Sequence, residues 1–424
     1  DFSNKLDSSH LIKIELKKEE LGKYKDSIQD NVKLKSALEF TEFETRKEFI
    51  DLQLKEAGWD VWPLKGDVKA GKASIEVQLE GMPNGAGVGY ADYVLFDDDG
   101  TPLAVVEAKK TVKDPIIGRQ QACLYAQLIE KKWGVKPIIF YTNGFSVSVI
   151  DAAGNPDRKV YGYYTKAEMH SMLIRKFAKI TDTRINPLIS DRPFIQEAAT
   201  AVCESFSSQC RKRKSLVVMA TGTGKTRCAI SIVDILQRQN WVKRVLFLAD
   251  RSALVNQAKN AFTKFLPNTT CCAISESSNE ERDYGAHIIV STYQTMMNLI
   301  DREDRPYSIA HFDLIITDEA HRSIYNKYQA IFKYFDSLIL GLTATPREEV
   351  DKSTYELFEL PKGEPTYYYE LEKAVKERYL TYFHAFERTT NILKSGVKYD
   401  DLTEEEKEEY EDIAEDLGLV DEDG

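Results

Sequence analysis

The chain has 424 residues, 42% hydrophobic and 29% charged, which is ordinary for a soluble globular protein and excludes wholesale disorder. No apolar run approaches the ~18–20 residues that span a bilayer and the first residues show no signal peptide, so a cytoplasmic protein with no membrane partner is expected. The net charge of −11 is uneven: residues 400–424 hold 14 acidic side chains and one basic, −13 in all, so the preceding 399 residues net +2 and leave room for local basic patches.

In chain order, residues 1–35 are Lys-rich and read as an extension; position 1 is not Met, so the natural start is expected upstream. Over 36–57, Leu38, Phe43, Phe49, Ile50, Leu52 and Leu54 recur at spacings loosely helical, and Gly58 is a stop signal. Strands are expected at 74–79, 90–96 and 103–108, with Asp97-Asp98-Asp99-Gly100 turning a hairpin between the last two. A helix follows over 116–132, then strands at 137–141 and 146–150, a turn at Gly154-Asn155-Pro156-Asp157 and a helix near 166–178. From Pro193 helices alternate with short apolar strands at 216–219, 245–248, 287–290, 314–317 and 337–340, the pattern of a parallel sheet covered on both faces. After Pro346 the alternation fades, although the run Tyr367-Tyr368-Tyr369 suggests a strand. Three regions are therefore expected: 1–180, 181–350 and 351–424. Arg211-Lys212-Arg213-Lys214 reads as a solvated helix end, with DNA phosphate contact as the alternative. The six cysteines form no C-x-x-C pair, which points to reduced thiols and argues against structural zinc.

Residues 216–226 run from an apolar strand through Thr221-Gly222-Thr223-Gly224 into Lys225-Thr226. Glycines there let backbone N–H groups turn around a triphosphate, and the helix N-terminus adds its dipole. Lys225 supplies a point charge at the β- and γ-phosphates, and the Thr226 hydroxyl suits Mg2+. Met219 stands where the general pattern has Gly. A second strand ends in Asp318-Glu319-Ala320-His321, where Asp318 suits Mg2+ and Glu319 suits orienting and deprotonating an attacking water. Thr343-Ala344-Thr345 follows the next strand. Together these resemble the first motor lobe of superfamily 2 helicases and translocases. The resemblance implies ATP as ligand, with His321, Thr343 and Thr345 coupling nucleotide state to a bound strand. Residues 247–251 and 290–295 resemble the strand-end loops that touch the DNA backbone, and Gln196 resembles the adenine-reading glutamine, although a lone Gln before a helix is often only solvated. Motors of this kind hydrolyse ATP between two lobes. The 79 residues after Thr345 are too few for another, so this chain is read as a fragment expected to bind Mg·ATP weakly with negligible turnover.

A second constellation lies near the N-terminus. Asp92 is followed fifteen residues later by Glu107 and then Lys109. Residues i and i+2 of a strand share a face, so Glu107 and Lys109 project together, and a hairpin brings Asp92 to the same end. Two carboxylates make a hard oxygen site for Mg2+, and a lysine beside them can orient a nucleophile. Solvated edge charges give the same pattern, but Glu107 emerges from an apolar strand. Glu44 or Glu48 offers a third carboxylate, Glu44 being preferred because it opens the helix, and Gln121 and Tyr125 suit the same region from the following helix. Asp92, Glu107 and Lys109 resemble the catalytic trio of PD-(D/E)xK nucleases in the RecB-like variant, with Gln121 and Tyr125 as its auxiliary motif; Ala91 replaces the Pro.

The order of the two resemblances fixes the expected fold class: α/β, a PD-(D/E)xK nuclease-like domain followed by one RecA-like parallel motor domain. The combination resembles the R subunit of type I restriction–modification enzymes across roughly 36–350. That resemblance implies ATP-driven translocation on double-stranded DNA, cleavage of both strands, and assembly with a specificity subunit and a methyltransferase subunit that uses S-adenosylmethionine. Two rival readings stand beside it: a DNA-repair helicase–nuclease, and a nucleic-acid-binding ATPase whose N-terminal domain is an inactive docking module.

Overall fold

The computed structural model describes residues 45–381, apart from 84, 111–113, 152–154, 176–177, 208–209, 275–282, 303, 319–321 and 346–351, and apart from the side chains of 48, 322–327, 352 and 353. The first half is a seven-stranded mixed sheet in sequential order: β1 (Val61–Trp62), β2 (Ala73–Glu80), β3 (Val88–Phe96), β4 (Pro102–Ala108), β5 (Ile138–Thr142), β6 (Val147–Ile150) and β7 (Arg158–Val160). Strands β2–β3–β4 form an antiparallel meander, and β4 pairs with β5 in parallel across the helix α2 (Ile116–Trp133). Every residue of β4 is buried, because both faces of this central strand are covered. On one face Val105 and Ile139 pack with Ala122, Tyr125, Ala126 and Ile129 of α2. On the other, Ala104, Val106 and Phe140 pack with Leu54 of α1 (Asp51–Glu56), Trp59, Tyr163, Tyr164 and Met169 of α3 (Lys166–Arg175).

The alternation along β2 and β3 breaks at one level. Ile75 and Tyr93 belong to the α1/α3 side, whereas Val77 and Ala91, two residues away on each strand, belong to the α2 side. The residues at the switch are Glu76, with φ +49°, and Asp92. The ladder registers Ile75 with Tyr93 and Val77 with Ala91, so Glu76 and Asp92 stand at the same level on neighbouring strands.

The second half is a seven-stranded sheet in which every pairing is parallel. Its strands are β8 (Lys214–Met219), β9 (Val245–Ala249), β10 (Cys271–Ile274), β11 (Ile288–Thr292), β12 (Leu314–Asp318), β13 (Leu338–Thr343) and β14 (Tyr367–Tyr369), in the spatial order β10-β11-β9-β12-β13-β8-β14. Helices α4 (Pro193–Phe206), α5 (Lys225–Arg238), α6 (Ser252–Phe265), α7 (Tyr293–Ile300) and α8 (Arg322–Tyr334) cover it. Strand β10 has no counterpart in the sequence reading: Cys271-Cys272-Ala273-Ile274 is short and two of its residues are only half-buried. The tyrosine run does form a strand, β14, on the far edge beside β8.

Both sheets lie in one compact unit that ends at Tyr379. They meet at the N-terminal ends of the parallel strands, through buried charge. Asp336, just before β13, accepts from Arg158 (Nε and Nη2, both 2.7 Å), from Arg213 Nη2 (2.8 Å) and from Tyr164 OH (2.6 Å). Arg158 also reaches Asp151 at 2.8 Å. Burial raises the Asp336 pKa, but Arg213 and Arg158 outweigh it and hold the carboxyl below its ordinary range. Nearby, Arg175 pairs with Asp313 at 2.8 Å, and Asp313 also accepts from the amides of Lys243 and Arg244. Arg213 is thus turned inward just before β8, which corrects the reading of 211–214 as a solvated helix end at that residue, whereas Arg211 and Lys212 are exposed.

Candidate active sites

The ATP-type constellation sits at the opposite, C-terminal ends of the parallel strands. Gly222 (φ +84°) and Gly224 (φ +99°) take the left-handed conformations that a tight phosphate-binding loop demands. A Cβ on Gly224 would lie 3.4 Å from Arg192 Nη1. Gly224 caps α5, so Lys225 and Thr226 form its first turn. Thr223 is buried and its hydroxyl donates to the Ala220 carbonyl at 2.6 Å, which fixes the loop from within; Thr221 is exposed. Strand register supplies the neighbours: β13 lies between β12 and β8, pairing Asp318 with Leu342 and Thr343 with Val218. Asp318, Thr343 and the glycine loop therefore crown three adjacent strands, the place where open parallel sheets bind ligands. Thr345 N–H donates to the Thr343 hydroxyl at 3.2 Å. A glycine loop at a helix N-terminus, a lysine and an acid at neighbouring strand ends fit a magnesium-bound triphosphate.

Two residues shortly before Gln196, Arg192 and Phe194, take part at this end as well. Arg192 donates to the Thr223 carbonyl at 2.7 Å and lies over the rings of Phe194 and Tyr379. Phe194 in turn stacks on Tyr369 of β14 at 4.0 Å between centroids. Gln196 has its amide engaged by the loop before α4: Nε2 donates to the Thr183 carbonyl at 2.7 Å, and Oε1 accepts from the Ile185 amide at 3.0 Å. Glu319 and His321 lie outside the described residues.

The nuclease-type constellation is assembled from three elements, β3, the end of β4 and α2. Asp92 Oδ2 accepts the Ala108 amide at 2.8 Å, which pins this β3 carboxylate to the end of β4 between Glu107 and Lys109. Glu107 is 2% exposed, and Lys109 Nζ donates to its Oε1 at 2.6 Å. The same Nζ donates to Gln121 Oε1 at 3.1 Å, and Gln121 Nε2 donates to Tyr125 OH at 2.8 Å. Asp92, Glu107, Lys109, Gln121 and Tyr125 thus form one connected group. Gly118 matters because a Cβ there would lie 3.3 Å from Glu107 Cγ and from Lys109 Cγ and Cε, so its lack of a side chain leaves room for both stems. Burial raises the Tyr125 phenol, which keeps it a hydrogen-bonding group at neutral pH.

Among the described residues no group of three or more His, Cys, Asp or Glu forms a metal cluster. Asp92 and Glu107 nonetheless fit Mg2+, which takes one or two carboxylates and keeps several waters. Glu44 lies outside the described residues, as does the Glu48 side chain. Arg46, to which the sequence reading gave no role at the site, donates to Asp92 Oδ1 (2.8 Å) and to Glu76 Oε1 (2.9 Å). Burial lowers the Arg46 pKa, but Asp92 and Glu76 outweigh it and the net direction is up.

The parallel sheet with its glycine loop defines the class of the second half: a RecA-like, helicase-type motor lobe. Residues 188–348 match the family described as "Type III restriction enzyme, res subunit". The EcoAI type I restriction enzyme endonuclease subunit of Escherichia coli is 31% identical over 76% of this chain and 41% of its own length. The EcoKI endonuclease subunit of E. coli strain K12 is 26% identical over 84% of this chain and 36% of its own length. The DNA 3'-5' translocase XPB2 of Sulfurisphaera tokodaii is 26% identical over 55% of this chain and 46% of its own length. The chain is a homologue of the endonuclease subunits of type I restriction enzymes, and it spans less than half the length of the two described above. No helix among the described residues is long and apolar enough to cross a membrane.

Proposed function

We propose that this chain carries the nuclease and the first ATP-binding motor lobe of a type I restriction subunit, acting on double-stranded DNA in the cytoplasm. In this reading the nuclease occupies residues 1–180, the motor lobe 181–350, and 351–424 leads onward. The observation that carries it is the convergence of Asp92, Glu107 and Lys109 from two strands onto one point, in a chain that also presents a strand-end triphosphate cradle. Asp92 and Glu107 would hold Mg2+. Bound there, the ion supplies positive charge against the phosphoryl oxygens and lowers the pKa of nearby water. Lys109, held by Glu107 and Gln121, orients the attacking water and offsets phosphate charge; Tyr125 holds Gln121 in that pose. In the motor lobe, Lys225 binds the β- and γ-phosphates, Thr226 and Asp318 suit the nucleotide's Mg2+, and Glu319 orients water. His321, Thr343 and Thr345 link that site to bound DNA, and Gln196 supports the adenine side. Methyltransferase and specificity subunits are the partners this reading requires.

The test uses the full-length protein with its co-purifying subunits, comparing DNA cleavage and ATPase rate in wild type and Asp92→Ala. Cleavage lost with ATPase retained supports two separable sites. Cleavage retained sinks the nuclease assignment and favours an inactive docking domain.

A further inference from the structure

Arg46 sits in a five-residue segment, Arg46–Ile50, hydrogen-bonded with π-helical spacing, and its guanidinium spans two carboxylates of the sheet. One of them, Glu76, has a left-handed backbone inside a strand, where a non-glycine residue is seldom found. Two sparsely populated backbone conformations thus converge on one set of ion pairs. Such conformations persist where surroundings over-determine them, and they concentrate at functional sites. The geometry at Asp92 gives this convergence a meaning. Oδ2 is fixed by the Ala108 amide, so the direction of Oδ1 is set, and the guanidinium lies on it. Glu76 also takes Lys65 at 2.8 Å, and the hydrogen bond from Lys65, with those from Arg46, keeps its pKa low and the carboxylate charged.

We propose that Arg46 is a positioning residue for Asp92, holding its carboxylate aimed while the cation site is empty, and that a divalent cation must displace it. Glu76 is the anchor to which the displaced guanidinium withdraws. This inference rests on the nuclease reading above. Arg46 and a divalent cation are both positive and compete for the same oxygen, so each weakens the other's hold. The consequence is a pair of opposite signs. Removing the competitor tightens the cation; removing the competitor's second anchor drives Arg46 onto Asp92 and loosens it. A purely structural role for the two residues would loosen the cation in both variants.

The experiment is equilibrium Mn2+ binding to the full-length, nucleotide-free protein, read from the free-ion electron paramagnetic resonance signal. Asp92→Ala defines which bound ion belongs to this site, and thermal melting checks that each variant is folded. Arg46→Gln should lower the Mn2+ Kd about fivefold and Glu76→Gln should raise it about fivefold, the double variant staying within about twofold of Arg46→Gln because Glu76 acts through Arg46. Cleavage at saturating metal should fall in Arg46→Gln despite the tighter ion. Should Arg46→Gln fail to fold, Arg46→Lys replaces it: lysine keeps the charge without the fork that bridges both carboxylates, and a Kd left at the wild-type value would overturn the proposal. Weakening in both single variants would overturn it too. A double variant as weak as Glu76→Gln would mean instead that Glu76 ligates the ion itself. If Asp92→Ala changes neither Mn2+ stoichiometry nor cleavage, the nuclease reading fails and this inference with it. If Asp92→Ala removes one ion but Arg46→Gln does not tighten it, only the role of Arg46 fails.

Discussion

The two seven-stranded sheets build their sites from different material. In the parallel sheet the candidate site is largely main chain: two left-handed glycines, a helix N-terminus, and strand ends brought level by register. In the mixed sheet it is mostly side chain: Glu107, Lys109, Gln121 and Tyr125 hold one another in a chain of hydrogen bonds, and the Ala108 amide ties Asp92 beside them. A main-chain site tolerates change in most of its side chains; a side-chain site tolerates little.

The strongest way to break that contrast is to compare truncations on both sides. Asp92→Ala should lower DNA cleavage by about 10³-fold or more, in the range expected when metal-assisted chemistry is lost. Lys225→Ala should abolish ATPase, because Lys225 is the one long side chain the phosphate loop needs. Thr221→Ala, exposed in that same loop, should change ATPase by less than about threefold. Steady-state cleavage and phosphate release check all three, and a Thr221→Ala defect as deep as that of Lys225→Ala would erase the distinction.

The second prediction moves to the seam between the sheets. Asp336→Ala leaves Arg158 and Arg213 buried beside each other without their shared partner, and should cost about 3–5 kcal/mol in urea unfolding. The native stabilisation from Asp336 is present above the unfolded carboxyl pKa and should fade as pH drops through its depressed folded value.

A third effect, smaller again, is specific to the motor half. His311 packs against Tyr307 and Phe312, and burial, with Arg244 nearby, lowers its pKa to about 4. The unfolded chain then binds a proton that the folded chain refuses between pH 6.5 and about 4. Stability should fall across that window by up to about 3 kcal/mol as pH decreases. His311→Phe should flatten the slope in pH-resolved melts without altering the Asp92 site. The smallest expected effect sharpens the side-chain picture: Gln121→Ala frees Lys109 from one acceptor and should slow cleavage about tenfold, with ATPase unchanged.

Legibility in the sequence follows the same division. The phosphate loop is contiguous, so its glycines, Lys225 and Thr226 stand in one readable string, and the alternating apolar strands announce a parallel sheet. The pairing of Glu107 with Lys109 is readable from strand periodicity, and Asp92 from the hairpin between. Arg46 and Glu76 are not, because their meeting depends on a π-spaced turn and on a strand that changes face at Glu76. Nor is the seam: Arg158 and Asp336 are 178 positions apart, and each alone reads as an ordinary surface charge. Strand β10 escaped because four residues with two half-buried cysteines carry too weak a periodic signal.

The seam also bears on how such a chain can be dismembered. Residue 180 is the natural place to cut when only the sequence is in view, lying between the last strand of one sheet and the first helix of the other. Yet a fragment ending there would carry Arg158 and Arg175 away from Asp336 and Asp313, and its complement would leave Asp336 with Arg213 alone. Exchanging one sheet for another would therefore strip partners from Asp313 and Asp336, the residues just ahead of two central strands of the parallel sheet.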